Sequence, residues 1–169
     1  MYALHCTKKL LDRIKEPIAT SALTPTTELG NWYATTLFWK PQLALFVNER
    51  TLFPVLAPLA PAATVAQRFP SLLAAVLAAH GIDQTFIVRE VAAMAEVGFA
   101  KTANRSVVGI MNEFSFLAEG YREYLDIVRF DVVVDAACRY AVQPDQVQQP
   151  GEVTQGNRGT SGCLRQQVQ

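Results

Sequence analysis

The chain has 169 residues, half of them hydrophobic, with 15 Lys plus Arg against 15 Asp plus Glu and a formal net charge of zero. That length suits one domain and supports a core without metal or disulfide, while the charge balance excludes a protein built throughout to coat nucleic acid or an anionic membrane, since such binding rests on clustered positive charge. The three cysteines, Cys6, Cys138 and Cys163, form no Cys-x-x-Cys pair, so neither a disulfide framework nor a structural zinc site is expected, and no cofactor is called for.

Residues 1–9 carry polar and basic side chains where a signal peptide needs an unbroken apolar stretch. The most apolar region, residues 52–79, is interrupted by Pro54, Pro58, Pro61, Arg68 and Pro70, which leaves no run long enough to cross a bilayer. A cytoplasmic location with reduced thiols is the expectation. Residues 2–6 are β-prone. Thr7 is placed to cap a helix over residues 8–15, with Leu10, Leu11 and Ile14 on one face, and Pro17 ends it. Residues 16–30 read as a loop.

The strongest β signal follows. In residues 32–39, Trp32, Ala34, Thr36 and Phe38 alternate with Tyr33, Thr35, Leu37 and Trp39. Residues 43–47 form a second strand, and residues 51–56 a third that Pro54 pushes to an edge. Short connections between the three imply an antiparallel meander. Pro61 starts a helix that Pro70 and Ser71 restart, and Gly81 stops it beyond His80. Residues 82–98 stay ambiguous: 86–88 suit a strand, 89–97 a helix, and Gly98 ends the stretch.

Thr102 or Asn104 caps a helix over residues 105–124, with Val107, Met111, Phe114 and Ala118 as its apolar stripe. Residues 127–141 read as a helix, or as a strand and then a short helix. From Gln143 the composition turns to Gln, Gly, Pro and Ser, and too little apolar surface is left to offset ordering entropy. The expected architecture is α+β: a single domain over residues 1–142, with a small antiparallel sheet covered by helices on one side, and a disordered tail over residues 143–169.

Three pieces carry a resemblance. They are Cys6-Thr7-Lys8-Lys9-Leu10-Leu11; Leu29-Gly30-Asn31-Trp32-Tyr33-Ala34 with Leu45-Phe46-Val47-Asn48-Glu49-Arg50-Thr51-Leu52; and Asn104-Arg105-Ser106-Val107-Val108-Gly109-Ile110-Met111-Asn112. In order and spacing the chain resembles an uncharacterised bacterial family known only as a domain of unknown function. The resemblance brings no substrate, reaction or partner with it, and it does not extend to the glutamine-rich tail.

The candidate site residues come from the same pieces. Arg105, Gly109 and Asn112 stand at i, i+4 and i+7, so a helix puts them on one face. Gly109 costs roughly 1 kcal/mol against Ala in a helix, which implies a close approach to the backbone. Asn104, Arg105 and the free amides of a helix start suit an anion. The structural reading of the same residues is that Arg105 and Asn112 bond loop carbonyls while Gly109 touches a strand.

Lys8 sits at the other helix start. Cys6 becomes a reactive thiol only if its pKa falls, and His5 points to the opposite side of a strand. Asn48 and Glu49 follow a strand, either as a solvated turn or with Glu49 as an acid or base beside a cleft. The leading expectation is a non-catalytic binding or interaction domain of a bacterial accessory or mobile-element system. Its partner is an unknown protein or a small anionic ligand, with no membrane contact, and self-association is compatible with the neutral charge. The rival is a small hydrolase or transferase acting on a phosphorylated or nucleotide substrate. It requires Lys8, Asn48 or Glu49, Arg105 and Asn112 around one pocket. Nucleic acid is not indicated by overall charge. It requires the aromatics and Lys8, Lys9, Arg13 and Lys15 on one face.

Overall fold

The computed structural model describes residues 1–21 and 23–120. The expectations for residues 127–141, for the 143–169 tail and for the boundary at 142 lie outside the described residues.

The elements are β1 (Tyr2–Cys6), α1 (Lys8–Ile14), β2 (Trp32–Leu37), β3 (Leu43–Asn48), β4 (Pro54–Pro58), a 3-10 turn (Ala62–Thr64), α2 (Val65–Ala79), α3 (Gln84–Ala93), β5 (Val97–Lys101) and α4 (Arg105–Gly120). The fold is α+β, with five strands in the order β4-β3-β2-β1-β5. The meander is antiparallel as its alternation implies: Tyr33 stands opposite Val47, and Phe46 opposite Val55. Pro54 and Pro58 bound the edge strand β4, where a missing amide costs no ladder bond.

Beyond the meander the sheet differs from the antiparallel expectation. β1 runs parallel to β2 and to β5, with Leu4 between Trp32 and Phe99. The sheet is therefore mixed. β5 takes Val97 from the stretch read as a helix and runs on past Gly98, the expected end of that stretch. Residues 86–88, the alternative strand, belong to α3, whose start is capped by the Asp83 carboxylate accepting from the Phe86 amide at 3.1 Å.

Helices cover both faces, not one. On one face Trp32, Ala34 and Phe46 pack with Leu10 and Ile14 of α1, Phe69 and Leu73 of α2, and Ile87 of α3. Phe69 anchors this layer, stacked on Phe46 at 4.1 Å and edge-on to Trp32 at 4.9 Å. On the other face Tyr33, Leu45 and Val47 pack with Val107 and Met111 of α4. The period of two in β2 produces both layers, since adjacent residues point to opposite sides.

α2 is continuous through Pro70 instead of restarting there. It ends as its sequence implies: Gly81 adopts φ +73°, the Gly81 amide donates to the Ala78 carbonyl, and the Ile82 amide donates to the Leu77 carbonyl. The apolar stretch Ala62–Ala79 is long and apolar enough to cross a membrane by composition alone. Its Phe69, Leu72 and Leu73 are packed on the sheet, so its hydropathy is that of a core helix.

Candidate functional site

β1, β2 and β5 run in one direction, so their carboxyl ends share an edge of the sheet. β1 leads into α1 on one face, and its neighbour β5 leads to α4 on the other. Divergent connections from adjacent parallel strands open a crevice at their carboxyl ends. β1 pairs only with Trp32, Tyr33 and Ala34. The chain leaves the sheet at Thr7, whose amide donates to the Ala34 carbonyl at 2.9 Å. Residues 35–37 of β2 thus have no strand beside them on that side among the described residues.

A groove of about 330 Å³ occupies this gap, lined by Lys9, residues 35–39, Asn112, Ser115 and Glu119. Lys9 comes from α1. Asn112, Ser115 and Glu119 lie at i, i+3 and i+7 on α4, one stripe of that helix. The Thr7 hydroxyl donates to that of Thr35 at 3.1 Å. Thr7 stands at the N-cap of α1, yet its side chain caps nothing, because it makes this cross-strand bond instead. Thr36 is 5% exposed, and its hydroxyl has no hydrogen-bond partner among the described residues.

Arg105, Gly109 and Asn112 are exposed and share a helix face. Asn112 enters the groove. Arg105 opens α4, with no hydrogen-bond partner among the described residues. A Cβ built on Gly109 meets nothing within 4 Å, so the expected close approach to its backbone does not occur. Lys8 is the exposed first residue of α1, beside Lys9.

Asn48 and Glu49 lie elsewhere. Asn48 faces Trp32, at the opposite end of β2. It is wholly buried. Its Nδ2 donates to the Leu29 carbonyl at 2.9 Å and to the Asn31 carbonyl at 3.3 Å. Its Oδ1 accepts from the Arg50 amide, the Thr51 amide and the Thr51 hydroxyl. Four of these five bonds hold backbone in place, so this side chain is a fastener of the β3–β4 turn.

Glu49 Oε2 accepts from Asn31 Nδ2 at 2.8 Å, and its Oε1 accepts from Asn104 Nδ2 at 3.2 Å and the Tyr33 hydroxyl at 3.3 Å. Burial acts most strongly and disfavours its charge. The donors from Asn31, Asn104 and Tyr33, with His5 nearby, outweigh it and hold the carboxyl below its ordinary pKa. Tyr33 is shifted the other way, chiefly by burial. His5 stacks on the Tyr33 ring at 4.7 Å. Asn104 caps α4 through Oδ1, which accepts from the Ser106 amide at 3.1 Å and the Val107 amide at 3.4 Å. The candidates therefore do not share one pocket: Asn104 bonds Glu49, Asn48 fastens the neighbouring turn, and of the rest only Asn112 lines the groove.

Cys6 is buried, and burial pushes its thiol up to about 12, which removes it as a nucleophile at neutral pH. Among the described residues no group of three or more His, Cys, Asp and Glu is placed to hold a metal ion. Sequence reasoning missed the roles of Lys9, Thr35 and Ser115 in the groove and of Asn31 and Tyr33 around Glu49. It also missed Glu90, buried on α3, whose carboxylate accepts from the Glu28 amide at 2.7 Å and the Leu29 amide at 3.0 Å and so fixes the loop ahead of β2.

Among known proteins, a family model described as a domain of unknown function (DUF6933) matches residues 3–148. No curated protein and no solved structure matches.

Proposed function

The chain belongs to this domain-of-unknown-function family, and from that premise we propose that it is a non-catalytic binding domain whose binding surface is the groove between α1 and α4. The observation that carries the proposal is the groove's construction. It lies on the carboxyl edge of three parallel strands, where one strand has ended, and it presents an ammonium, hydroxyls and a carboxamide, with the Glu119 carboxylate, itself engaged within the protein, at one end. Such groups bind an anionic ligand or an anionic segment of a partner by charge-assisted hydrogen bonds.

The enzyme reading needs a base, and the geometry works against Glu49 in that role. A carboxylate that already accepts from three donors, with its pKa held down, is a weak base. A cytoplasmic setting and a place in a bacterial accessory or mobile-element system belong to the same proposal. The free, buried Cys6 thiol supports the former, and the genes beside this one test the latter.

The direct test is a thermal melt of the full chain with and without inorganic pyrophosphate, for the parent and for Asn112→Ala and Lys9→Gln. Pyrophosphate raises the melting temperature of the parent and raises it less in both variants. Variants that melt lower than the parent, around a parent that pyrophosphate leaves unmoved, contradict the proposal.

A further inference from the structure

Phe38 follows the last residue of β2 and is 56% exposed. A ring left in water forgoes the free energy of burial, so an aromatic held open in a lined groove is suited to meeting a second ring. Trp39, the next residue, is packed against the Tyr33–Leu45 layer, which fixes the backbone from which Phe38 projects. Two cations lie over that ring: Lys9 Nζ is 5.7 Å and Arg13 Cζ 6.0 Å from its centroid. They stand at i and i+4 of α1, on one side of the helix.

The charge around them is local. Residues 8–15 hold Lys8, Lys9, Arg13 and Lys15 against Asp12 alone, in a chain of zero net charge. On the groove floor Thr35 offers a hydroxyl on the α4 side of the sheet, where Asn112 and Ser115 line the same groove. Glu119, at the end of the α4 stripe, is engaged within the protein. An aromatic platform, cations spaced along one side, and hydrogen-bonding groups between them are the parts that sequence-tolerant single-strand binders combine. A run of cations continuing along α1 matches a chain of phosphates better than a single one.

We infer that the groove binds single-stranded nucleic acid, with one base stacked on Phe38 and the adjoining phosphates against Lys9 and Arg13. This rests on the groove being the binding surface and adds the class of ligand.

The test is fluorescence anisotropy of a labelled eight-nucleotide single strand with the full chain. Pyrophosphate, AMP and polyglutamate serve as competitors, and Phe38→Ala, Asn112→Ala and the Lys9→Gln, Arg13→Gln pair as variants. Phe38 is exposed, so its replacement leaves the fold intact. The strand binds, its affinity falls as salt rises, and the paired variant flattens that dependence. Phe38→Ala weakens binding by about five- to a hundredfold, the span of one base–aromatic stack, and no competitor matches the unlabelled strand. If pyrophosphate, AMP or polyglutamate competes as well as the strand, or Phe38→Ala binds like the parent while Asn112→Ala does not, the nucleic-acid inference fails and the groove proposal stands. If neither the strand nor pyrophosphate binds, both fail.

Discussion

The Tyr2 hydroxyl donates to the Ala66 carbonyl at 2.8 Å, filling the acceptor that Pro70, four residues along α2, has no amide to reach. A proline that reads as a break is thereby kept inside a helix by a side chain from the first strand. Tyr2→Phe removes the donor and leaves a buried carbonyl unpaired, at a cost of about 1–3 kcal/mol. In a Pro70→Ala background residue 70 supplies the amide, so Tyr2→Phe costs distinctly less there. Urea unfolding of the four proteins of this cycle measures the difference, and equal costs in both backgrounds would refute the compensation.

Asn104 holds two elements at once, capping α4 and donating to Glu49 from 55 residues away. Asn104→Ala is expected to lose about 1–2 kcal/mol of stability. Asn104→Asp keeps the cap but sets a second carboxylate beside Glu49, so it recovers little at neutral pH and more as the pH is lowered. Denaturant melts at pH 4 and pH 7 distinguish the cap from the Glu49 contact.

Glu49 has a folded-state pKa below its ordinary value of 4.5. A depressed carboxylate pKa stabilises the fold fully above the unfolded value and loses that contribution as pH falls through the folded one. The stability gap between the parent and Glu49→Gln is therefore widest above pH 4.5 and narrows steadily below it. A gap that stays constant from pH 7 to pH 3 would show that the carboxylate charge is not what these donors hold.

Asn48→Ala strips five hydrogen bonds from a buried turn, leaving several backbone groups unpaired. A loss on the order of 3 kcal/mol is expected, against about 0.5 kcal/mol for an exposed substitution such as Asp12→Ala. Equilibrium unfolding compares the two.

Cys6 is predicted to be inert in the folded chain. In a Cys138→Ser, Cys163→Ser variant a thiol–disulfide exchange reagent at pH 8 labels nothing until denaturant is added. Native labelling at the rate of a free thiol would contradict the burial and the raised pKa.

The meander was legible because its side chains alternate and its connections are short. β5 was not. Gly98 and Ala100 leave it without an alternation of apolar and polar side chains, and Gly98 reads as a stop although it is a packed position, where a Cβ would come within 2.7 Å of the Leu23 side chain. The apolar stripe of α4 was readable, but not the sheet face it covers, which depends on β5 lying at the far edge. The groove was hidden for the same reason. Lys9, Thr35 and Asn112 meet only because β1 stops at Cys6 while β2 runs on to Leu37, and that offset is a matter of register between strands that are not neighbours in sequence. Asn48 and Glu49 were visible as candidates. Their turn- and cap-holding roles depend on partners in the 29–31 loop and at Asn104.

The central claim, that the groove between α1 and α4 is the binding surface, is tested most directly by amide chemical-shift mapping. A ¹⁵N-labelled full chain is titrated with pyrophosphate and then with the eight-nucleotide strand. Shifts concentrated at Lys9, Thr35, Thr36, Phe38, Asn112 and Ser115 are the expected result. Shifts centred instead on His5, Asn31, Tyr33 and Glu49, with the groove amides unmoved, would contradict it.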